Sequence, residues 1–410
     1  MTQHQVRLTS SPSEHKHQFP WPLIDEDAEK AVIKQLHTNI SLYRKECIYE
    51  EFENYYGMLI GIDNCLVVNS GTTALWVLYG ALGLQPGDEV LVPSYTFFAT
   101  SSPMIHWGLV PIFCDANEEG NFDPQQIRLK KTNRTKAVMV THMWGLPCDM
   151  PNIRKICDEE NLLLLEDCSH AHGGQINGKH LGSWGDAAAW SLQGKKIVSA
   201  GEGGVFATRH RHFYERALFF SHFNKRCHQE ISNDSTLRPY KLTGGGMNLR
   251  PSPLAIALAN QQVKSLEKWN QQKQKYASLF IAMLLDIPFI RAPSFPDHHT
   301  PSWYALTMQW IPEYAPCTRD QFVDYLINEL GLGSVDIPMS TCPNHVLPLF
   351  AQPQHIRPDF YCAPLQHTNC PLAQRFFERA IKIFVPVRTE DHDSFMCYLE
   401  GFKKAAEHFS

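Results

Sequence analysis

The sequence predicts an α/β fold with a mostly parallel sheet, followed by a smaller C-terminal α+β unit. Between residues 65 and 208, short apolar runs alternate with segments of helical periodicity. The runs are continuously apolar, as in strands buried on both faces of a parallel sheet. Four consecutive leucines at 162–165 form the clearest run, which is far too short to cross a membrane. Two further strands and two helices after residue 265 predict the C-terminal unit.

Composition and cysteine usage predict a soluble globular protein of the cytoplasm. The 410 residues are 43% hydrophobic and 19% charged, which suits two domains with a large core. The net charge of −5 and the lack of a basic run exclude a nucleic-acid footprint. Residues 1–19 are polar and lack the apolar core of a signal peptide, and no stretch is long enough for a membrane span.

Cysteine and histidine spacing predicts neither disulfides nor a metal site. The 12 cysteines include no C-x-x-C pair and several lie in apolar runs, so reduced thiols are expected. The pairs His170/His172 and His210/His212 have no further ligands at zinc-site spacing, so no metal is expected.

The chain divides into a flexible tail at 1–20, a large domain at 21–265 and a small domain at 266–410. Helices are predicted at 25–35 and 48–56, before the sheet begins. The predicted strands are 65–68, 89–92, 110–114, 136–141, 162–165, 187–192 and 205–208, with helices at 73–82, 99–107, 152–160 and 209–220. Residues 221–246 predict a long functional loop, and 252–269 predict a helix that bridges the domains. The C-terminal strands are 303–310 and 383–387, and the helices are 319–330 and 390–408.

A small-residue turn at 69–72 lies between the first strand and a helix. Free backbone N–H groups and the dipole of a helix N-terminus attract anions, so this turn is a candidate phosphate site. Any N-capped helix after a strand has the same pattern, so the turn alone does not establish a phosphate site.

A carboxylate and a lysine follow two other strands. Asp167 lies where the strand at 162–165 emerges, and Lys195 and Lys196 follow the strand at 187–192. One interpretation is a surface ion pair. The other is a cofactor site, in which a buried aspartate faces a pyridinium nitrogen and a lysine of lowered pKa binds an aldehyde. In a parallel sheet the carboxyl ends of strands share one edge, so these side chains and Phe97 are expected to converge there.

Five motifs occur in one order along residues 21–262. They are N-S-G-T-T-A-L at 69–75, P-S-Y-T-F-F-A-T at 93–100, L-L-L-E-D-C-S-H-A-H-G-G at 163–174, S-x4-K-x4-G-E-G-G at 191–204 and G-M-N-L-R at 246–250. The set resembles the DegT/StrS-type sugar aminotransferases. That resemblance implies pyridoxal 5'-phosphate and the fold type I of pyridoxal-phosphate-dependent transferases.

The resemblance assigns a role to each matching position. Lys196 is the lysine that binds the cofactor aldehyde and Asp167 the partner of the ring nitrogen. His170 is expected near the ring hydroxyl and Phe97 on the ring face. The phosphate is expected to contact the N–H groups of Gly71 and Thr72, the Ser191 hydroxyl, and Asn248 from a second subunit, which implies a homodimer with shared active sites.

The expected reaction moves an amino group from glutamate or glutamine to a nucleotide-linked keto-sugar or to a cyclitol ketone. Gln193 replaces the histidine that many relatives have before the lysine, and this resembles the branch acting on cyclitol ketones or on some nucleotide-linked sugars. A sugar dehydratase and a non-catalytic regulator that binds the cofactor are the alternatives. Lys196 argues against the dehydratase branch, which has histidine there. Lys225, Arg226 and Arg250 form a hypothetical site for substrate phosphates.

Overall fold

The computed structural model describes residues 17–355 and 369–410. Most of the predicted tail, residues 1–16, lies outside these ranges. The helices are α1 Glu26–Thr38, α2 Cys47–Ile60, α3 Gly71–Ala81, α4 Ser102–His106, α5 Gln125–Lys130, α6 Met150–Glu159, α7 Arg211–Ser221, α8 Lys225–Glu230, α9 Pro253–Leu284, α10 Arg319–Asp324, α11 Pro348–Ala351, α12 Pro371–Arg379 and α13 His392–Phe409. Within the described ranges, no helix combines the length and apolarity that a bilayer crossing needs.

Sixteen strands lie within the described residues. They are β1 Asn64–Val68, β2 Glu89–Pro93, β3 Tyr95–Phe97, β4 Val110–Cys114, β5 Thr135–Thr141, β6 Leu163–Asp167, β7 Gln175–Ile176, β8 Lys179–His180, β9 Ala187–Ser191, β10 Gly204–Thr208, β11 Ile290–Arg291, β12 His299–Thr300, β13 Leu306–Trp310, β14 Val335–Asp336, β15 Thr341–Pro343 and β16 Ala380–Ile383. Seven of them form the central sheet in the order β1-β10-β9-β6-β5-β2-β4.

The central sheet is parallel except at β10. Strands β4, β2, β5, β6 and β9 pair in parallel, whereas β10 pairs antiparallel with both β9 and β1. The link from β9 to β10 has no crossover helix, so β10 returns beside the strand that it follows. The α/β prediction with a mostly parallel sheet is confirmed.

Helices cover both faces of the sheet, which explains the continuous apolar runs. Val67 and Leu91 pack into one core with α2, α6 and the start of α9. Their neighbours Leu66 and Val90 pack into the opposite core with α3, α4 and α7. Every residue of such a strand therefore meets an apolar layer.

A second sheet, with the order β11-β13-β16-β14, lies in the C-terminal part and has its own core. Helix α9 runs through the predicted boundary between residues 265 and 266 and contributes buried residues to both parts. The division into 21–265 and 266–410 therefore stays a prediction.

Some predicted elements have different bounds. The expected loop at 221–246 contains helix α8 and a short 3-10 turn at Arg238–Tyr240. The last strand covers Ala380–Ile383 rather than 383–387, and the helix expected at 99–107 is a 3-10 turn followed by the short α4. The described cysteines are all free thiols, as expected.

Candidate active site

A cavity of about 380 Å³ lies where the central sheet meets the C-terminal sheet. Seven of the eight predicted site residues line it: Gly71, Thr72, Phe97, Asp167, His170, Ser191 and Lys196. Six of them come from the carboxyl ends of parallel strands and from the N-terminus of α3, where the topology predicts a ligand site, and Phe97 comes from the separate strand β3. Asn248, the eighth, is exposed outside this cavity.

The N-terminus of α3 leaves two N–H groups free at the cavity wall. The Ser70 side chain caps the helix by accepting a hydrogen bond from the Thr73 N–H at 3.0 Å. The N–H groups of Gly71 and Thr72, by contrast, have no partner among the described residues. Together with the helix dipole they form a site for an anion.

Ser191 lies directly against this turn, and glycine is what permits the approach. A Cβ atom added at Gly71 would lie 2.5 Å from the Ser191 Cβ, closer than real side-chain carbons come. Gly204, the last glycine of G-E-G-G, pairs with Ser191 in the sheet, and a Cβ there would lie 2.2 Å from the Ser70 carbonyl oxygen. Both glycines therefore let the serine hydroxyl and the helix N-terminus share one small region.

Asp167 is held at the base of the cavity by two hydrogen bonds. It is 4% exposed, and it accepts from the Thr100 hydroxyl at 2.7 Å and from the Ser169 N–H at 3.0 Å. Thr100 in turn contacts the hydroxyl of Thr96 at 2.8 Å. These two donors fix the orientation of the carboxylate.

The neighbouring carboxylate, Glu166, points to the other face of β6 and has a structural role. It accepts hydrogen bonds from the N–H groups of Gly182, Trp184 and Gly185. His142 lies 3.1 Å from the same carboxylate. His142 accepts from the Cys148 N–H through Nδ1, so its own proton is on Nε2 and points to the Glu166 carboxylate.

Glu166, His142 and Cys168 also offer ligand atoms that lie within 4.8 Å of one another. Both nitrogens of His142 already have partners, since Nδ1 accepts from the Cys148 N–H. Hydrogen bonding therefore accounts for this cluster without an ion.

Lys196 lies in the turn after β9, and its pKa is shifted far from the usual value of a lysine. Burial lowers its pKa to about 8, the Asp167 carboxylate acts in the opposite direction, and the charge of Lys382 lowers it further. Its Nζ lies 4.6 Å from the centre of the Tyr304 ring. The Trp21 indole donates to the Lys196 carbonyl at 3.0 Å and so ties the N-terminal segment to the lysine backbone.

His170 lies in a stack of three rings. The centre of the Tyr304 ring lies 4.2 Å and that of the Trp144 ring 5.3 Å from the His170 ring, Tyr304 and Trp144 are 6.1 Å apart, and the three planes are within 20° of parallel. Burial, followed by the charges of Lys196 and Lys382, holds the pKa of His170 well below its usual value. The neutral ring accepts from the Trp144 N–H through Nδ1, so its own proton is on Nε2, which is then a hydrogen-bond donor.

Phe97 presents its ring at the cavity mouth, with 39% of the residue exposed. It ends β3, which pairs with β15 from the C-terminal part, so that Thr341 lies opposite Phe97. The ring also contacts Phe98 at 4.4 Å. A ring at this place can cover a planar ligand in the cavity.

Residues 22–394 of the sequence match the profile of the DegT/DnrJ/EryC1/StrS aminotransferase family. The chain belongs to this family. The chain is 27% identical to GDP-perosamine synthase of Escherichia coli O157:H7, over 79% of this chain and 84% of that protein. It is 30% identical to L-glutamine:2-deoxy-scyllo-inosose aminotransferase of Streptomyces paromomycinus, over 65% of each chain.

A crystal structure of an aminotransferase from Psychrobacter cryohalolentis has the same fold. The TM-score is 0.84 at 25% identity, and the alignment covers 96% of this chain and 100% of the other. Membership of the family confirms the resemblance that the five motifs predicted. DegT/DnrJ/EryC1/StrS aminotransferases are of the pyridoxal-phosphate-dependent type, so membership implies that cofactor.

Sequence reasoning missed several residues that lie in the cavity or beside it. Trp144, Thr100 and Tyr304 contact predicted site residues, and Lys382 with Asp336 comes from the C-terminal sheet. Thr100 stands in the quoted P-S-Y-T-F-F-A-T motif, so its place there was a usable signal. The C-terminal residues lie more than 100 positions from the lysine, and no local pattern marks them.

The hypothetical phosphate site at Lys225, Arg226 and Arg250 is wrong for Arg226. Its side chain is fully buried and forms a two-pronged ion pair with Glu53, at 2.9 and 3.0 Å. Lys225 and Arg250 instead both lie near the ring of Tyr43, at 5.3 and 5.1 Å. Arg226 therefore stabilises the fold and is not available to a substrate.

Proposed function

We propose that this protein is a pyridoxal-phosphate-dependent aminotransferase. It moves an amino group from glutamate or glutamine to the keto carbon of a nucleotide-linked sugar or of a cyclitol. The observation that carries the proposal is the placement of Lys196, with its lowered pKa, in one cavity with the buried Asp167 and the anion site of α3.

The residues of the cavity fit pyridoxal phosphate. The free N–H groups of Gly71 and Thr72 and the Ser191 hydroxyl match a phosphate, and no side chain at Gly71 obstructs them. Asp167 would pair with the ring nitrogen, and the Nε2–H of His170 is a donor for the ring hydroxyl. Phe97 would cover the ring face.

When bound, the cofactor supplies an aldehyde that captures amino groups and a ring that takes up electrons from the Cα–H bond. Lys196 would hold the aldehyde, and its amine would be free to act once a donor amino group is bound there. In its neutral form the Nζ of Lys196 could then accept the Cα proton of the donor and give it back as a general acid. Asp167 would face the ring nitrogen, and the Thr100 hydroxyl fixes the orientation of that carboxylate.

The acceptor class rests on the names of relatives. GDP-perosamine synthase and the scyllo-inosose aminotransferase both have names that describe amination of a sugar or a cyclitol. Gln193 lines the cavity beside Lys195 and Lys196, where it can contact such an acceptor.

We further infer a homodimer with shared active sites, located in the cytoplasm. Asn248 is exposed, and its segment is anchored next to the phosphate turn because the Asn69 N–H donates to the Leu249 carbonyl at 2.9 Å. An exposed amide beside one site can reach the phosphate of a partner's site. The buried free thiols suit a reducing compartment.

The test is chemical trapping followed by donor titration. Borohydride reduction of the cofactor-loaded protein and peptide mapping should place the tag on Lys196. Lys196→Arg should abolish the tag, and Lys195→Arg should retain it. The visible absorbance should then bleach with glutamate or glutamine. A tag elsewhere would refute the site, and colour that no amino acid bleaches would favour the regulator. Release of water from a keto-sugar without any donor would favour the dehydratase.

A further inference from the structure

Lys382 brings a positive charge into the active-site cavity from the C-terminal sheet. It lies on β16, lines the cavity, and its side chain is only 12% exposed. Its Nζ lies 5.2 Å from the centres of the Trp144 and Phe384 rings. The rings hold the ammonium at the edge of the same stack that carries His170.

Lys382 is paired with a polar residue on each neighbouring strand, and the three side chains form a polar row across the sheet. Asp336 on β14 lies opposite it and forms an ion pair at 2.8 Å, although the aspartate is 56% exposed. On the other side Thr307 of β13 is paired with Lys382. Thr307 is 8% exposed, and its hydroxyl has no hydrogen-bond partner among the described residues. Directly paired residues share a face of a sheet, so an ammonium and an unused hydroxyl lie side by side.

The proposed reaction leaves one anionic group without a site. The helix N-terminus accounts for the cofactor phosphate, but an amino-acid donor also carries an α-carboxylate. This carboxylate is attached to the carbon whose amino group takes the place of Lys196, so it must lie within a few ångströms of that lysine. Lys382 is close enough to Lys196 for its charge to lower the pKa of the latter. Lys195, which also lines the cavity, is exposed at its mouth.

We propose that Lys382 binds the α-carboxylate of the amino donor and exchanges its ion pair with Asp336 for one with the substrate. One ammonium matches one carboxylate. A diphosphate would require several cations or a planar guanidinium fork, neither of which this row offers. Asp336 competes for the ammonium, so donor affinity is moderate and release is easy. The inference rests on the proposed aminotransferase function and adds a donor-binding residue to it.

Calorimetric binding of donors that cannot react tests this site. The probes are 2-methyl-L-glutamate and 2-methyl-L-glutamine, which lack the α-hydrogen, added to the cofactor-loaded protein. Lys382→Gln should raise the dissociation constant about 10- to 100-fold, the range for losing a hydrogen bond between charged groups. Lys382→Arg should recover most of the affinity. Asp336→Asn should change affinity in the opposite direction and lower the dissociation constant about 2- to 5-fold, since an exposed ion pair competes weakly.

Two controls separate donor binding from folding and from the proposed function. Lys403→Gln removes an exposed lysine of the C-terminal part that pairs with Asp286, and it should leave probe affinity unchanged. The α-carboxamide of the donor should bind the wild type weakly and should be insensitive to Lys382→Gln. Equal probe affinity in wild type and Lys382→Gln would overturn the donor site alone. A loaded wild-type protein that binds neither probe would overturn both the site and the function.

Discussion

The lowered pKa of Lys196 makes a quantitative prediction about its reactivity. With a pKa of about 8 the lysine is neutral in about one molecule in eleven at pH 7, against about one in 3000 at the usual value of 10.5. Burial therefore raises the reactive fraction about 300-fold at that pH. The neutral form is lost as pH falls through 8, so capture of an aldehyde should be half-maximal near pH 8.

Competitive labelling of the cofactor-free protein measures this directly. Brief reductive methylation with formaldehyde at pH values from 6 to 11, followed by peptide mass analysis, reports Lys196 and Lys195 from one digest. Lys195 is exposed and follows the same strand, so it is an internal reference. Lys382→Gln should move the midpoint of Lys196 upward, because it removes a positive charge that lowers the pKa. Asp167→Asn should move it downward, because it removes a negative charge that raises the pKa.

The result that would refute the reasoning is a common labelling profile for the two lysines between pH 7 and 9. A midpoint of Lys196 that Lys382→Gln leaves unchanged would show that the two charges do not interact. Either outcome would remove the electrostatic basis of the assignment.

Three further predictions concern the phosphate turn, the N-terminal segment and the fold. Gly71→Ala should weaken cofactor binding about 10- to 100-fold, because its Cβ would meet Ser191 and displace the N–H donors, and equilibrium dialysis measures this. Unchanged affinity would show that the turn does not bind the phosphate. Trp21→Phe removes the indole N–H that donates to the active-site lysine carbonyl, and it should lower the rate of the donor half reaction about fivefold in rapid mixing. A weaker donor affinity at an unchanged rate would contradict this positioning role. Glu53→Gln should lower the free energy of unfolding by about 3–5 kcal/mol in urea titrations, because it breaks the fully buried half of the Arg226 ion pairing and leaves that guanidinium with Glu230 alone. A loss below about 1 kcal/mol would show that water reaches the pair.

The sequence was most informative where one local pattern sufficed. Continuous apolar runs specify strands that are covered on both faces, and the residues after them lie at a shared sheet edge. This is why Asp167, Ser191 and Lys196 could be expected in one cavity. The antiparallel direction of β10 could not be expected, because the short link before it has no pattern that distinguishes a return from a crossover.

Long-range pairing accounts for what sequence reasoning missed. Arg226 stands in a polar segment, but its buried partner Glu53 lies 173 positions earlier, so its charge indicated exposure. Glu166 and Asp167 are adjacent carboxylates, and only the alternation of side chains along β6 separates the structural one from the one in the cavity. Lys382 comes from a strand that folds back from the C-terminal part.

The pairing of β15 with β3 joins the two halves of the active site mechanically. Tyr95, Thr96 and Phe97 are each matched to a residue of β15, and the Asn344 N–H extends the ladder by donating to the Ser94 carbonyl at 2.7 Å. If the C-terminal part moved towards the cavity as a rigid body, the Phe97 ring would therefore move with it. Binding of the donor by Lys382 and coverage of the cofactor ring by Phe97 would then occur in one motion. Substitutions that weaken the β3–β15 pairing should uncouple the two events.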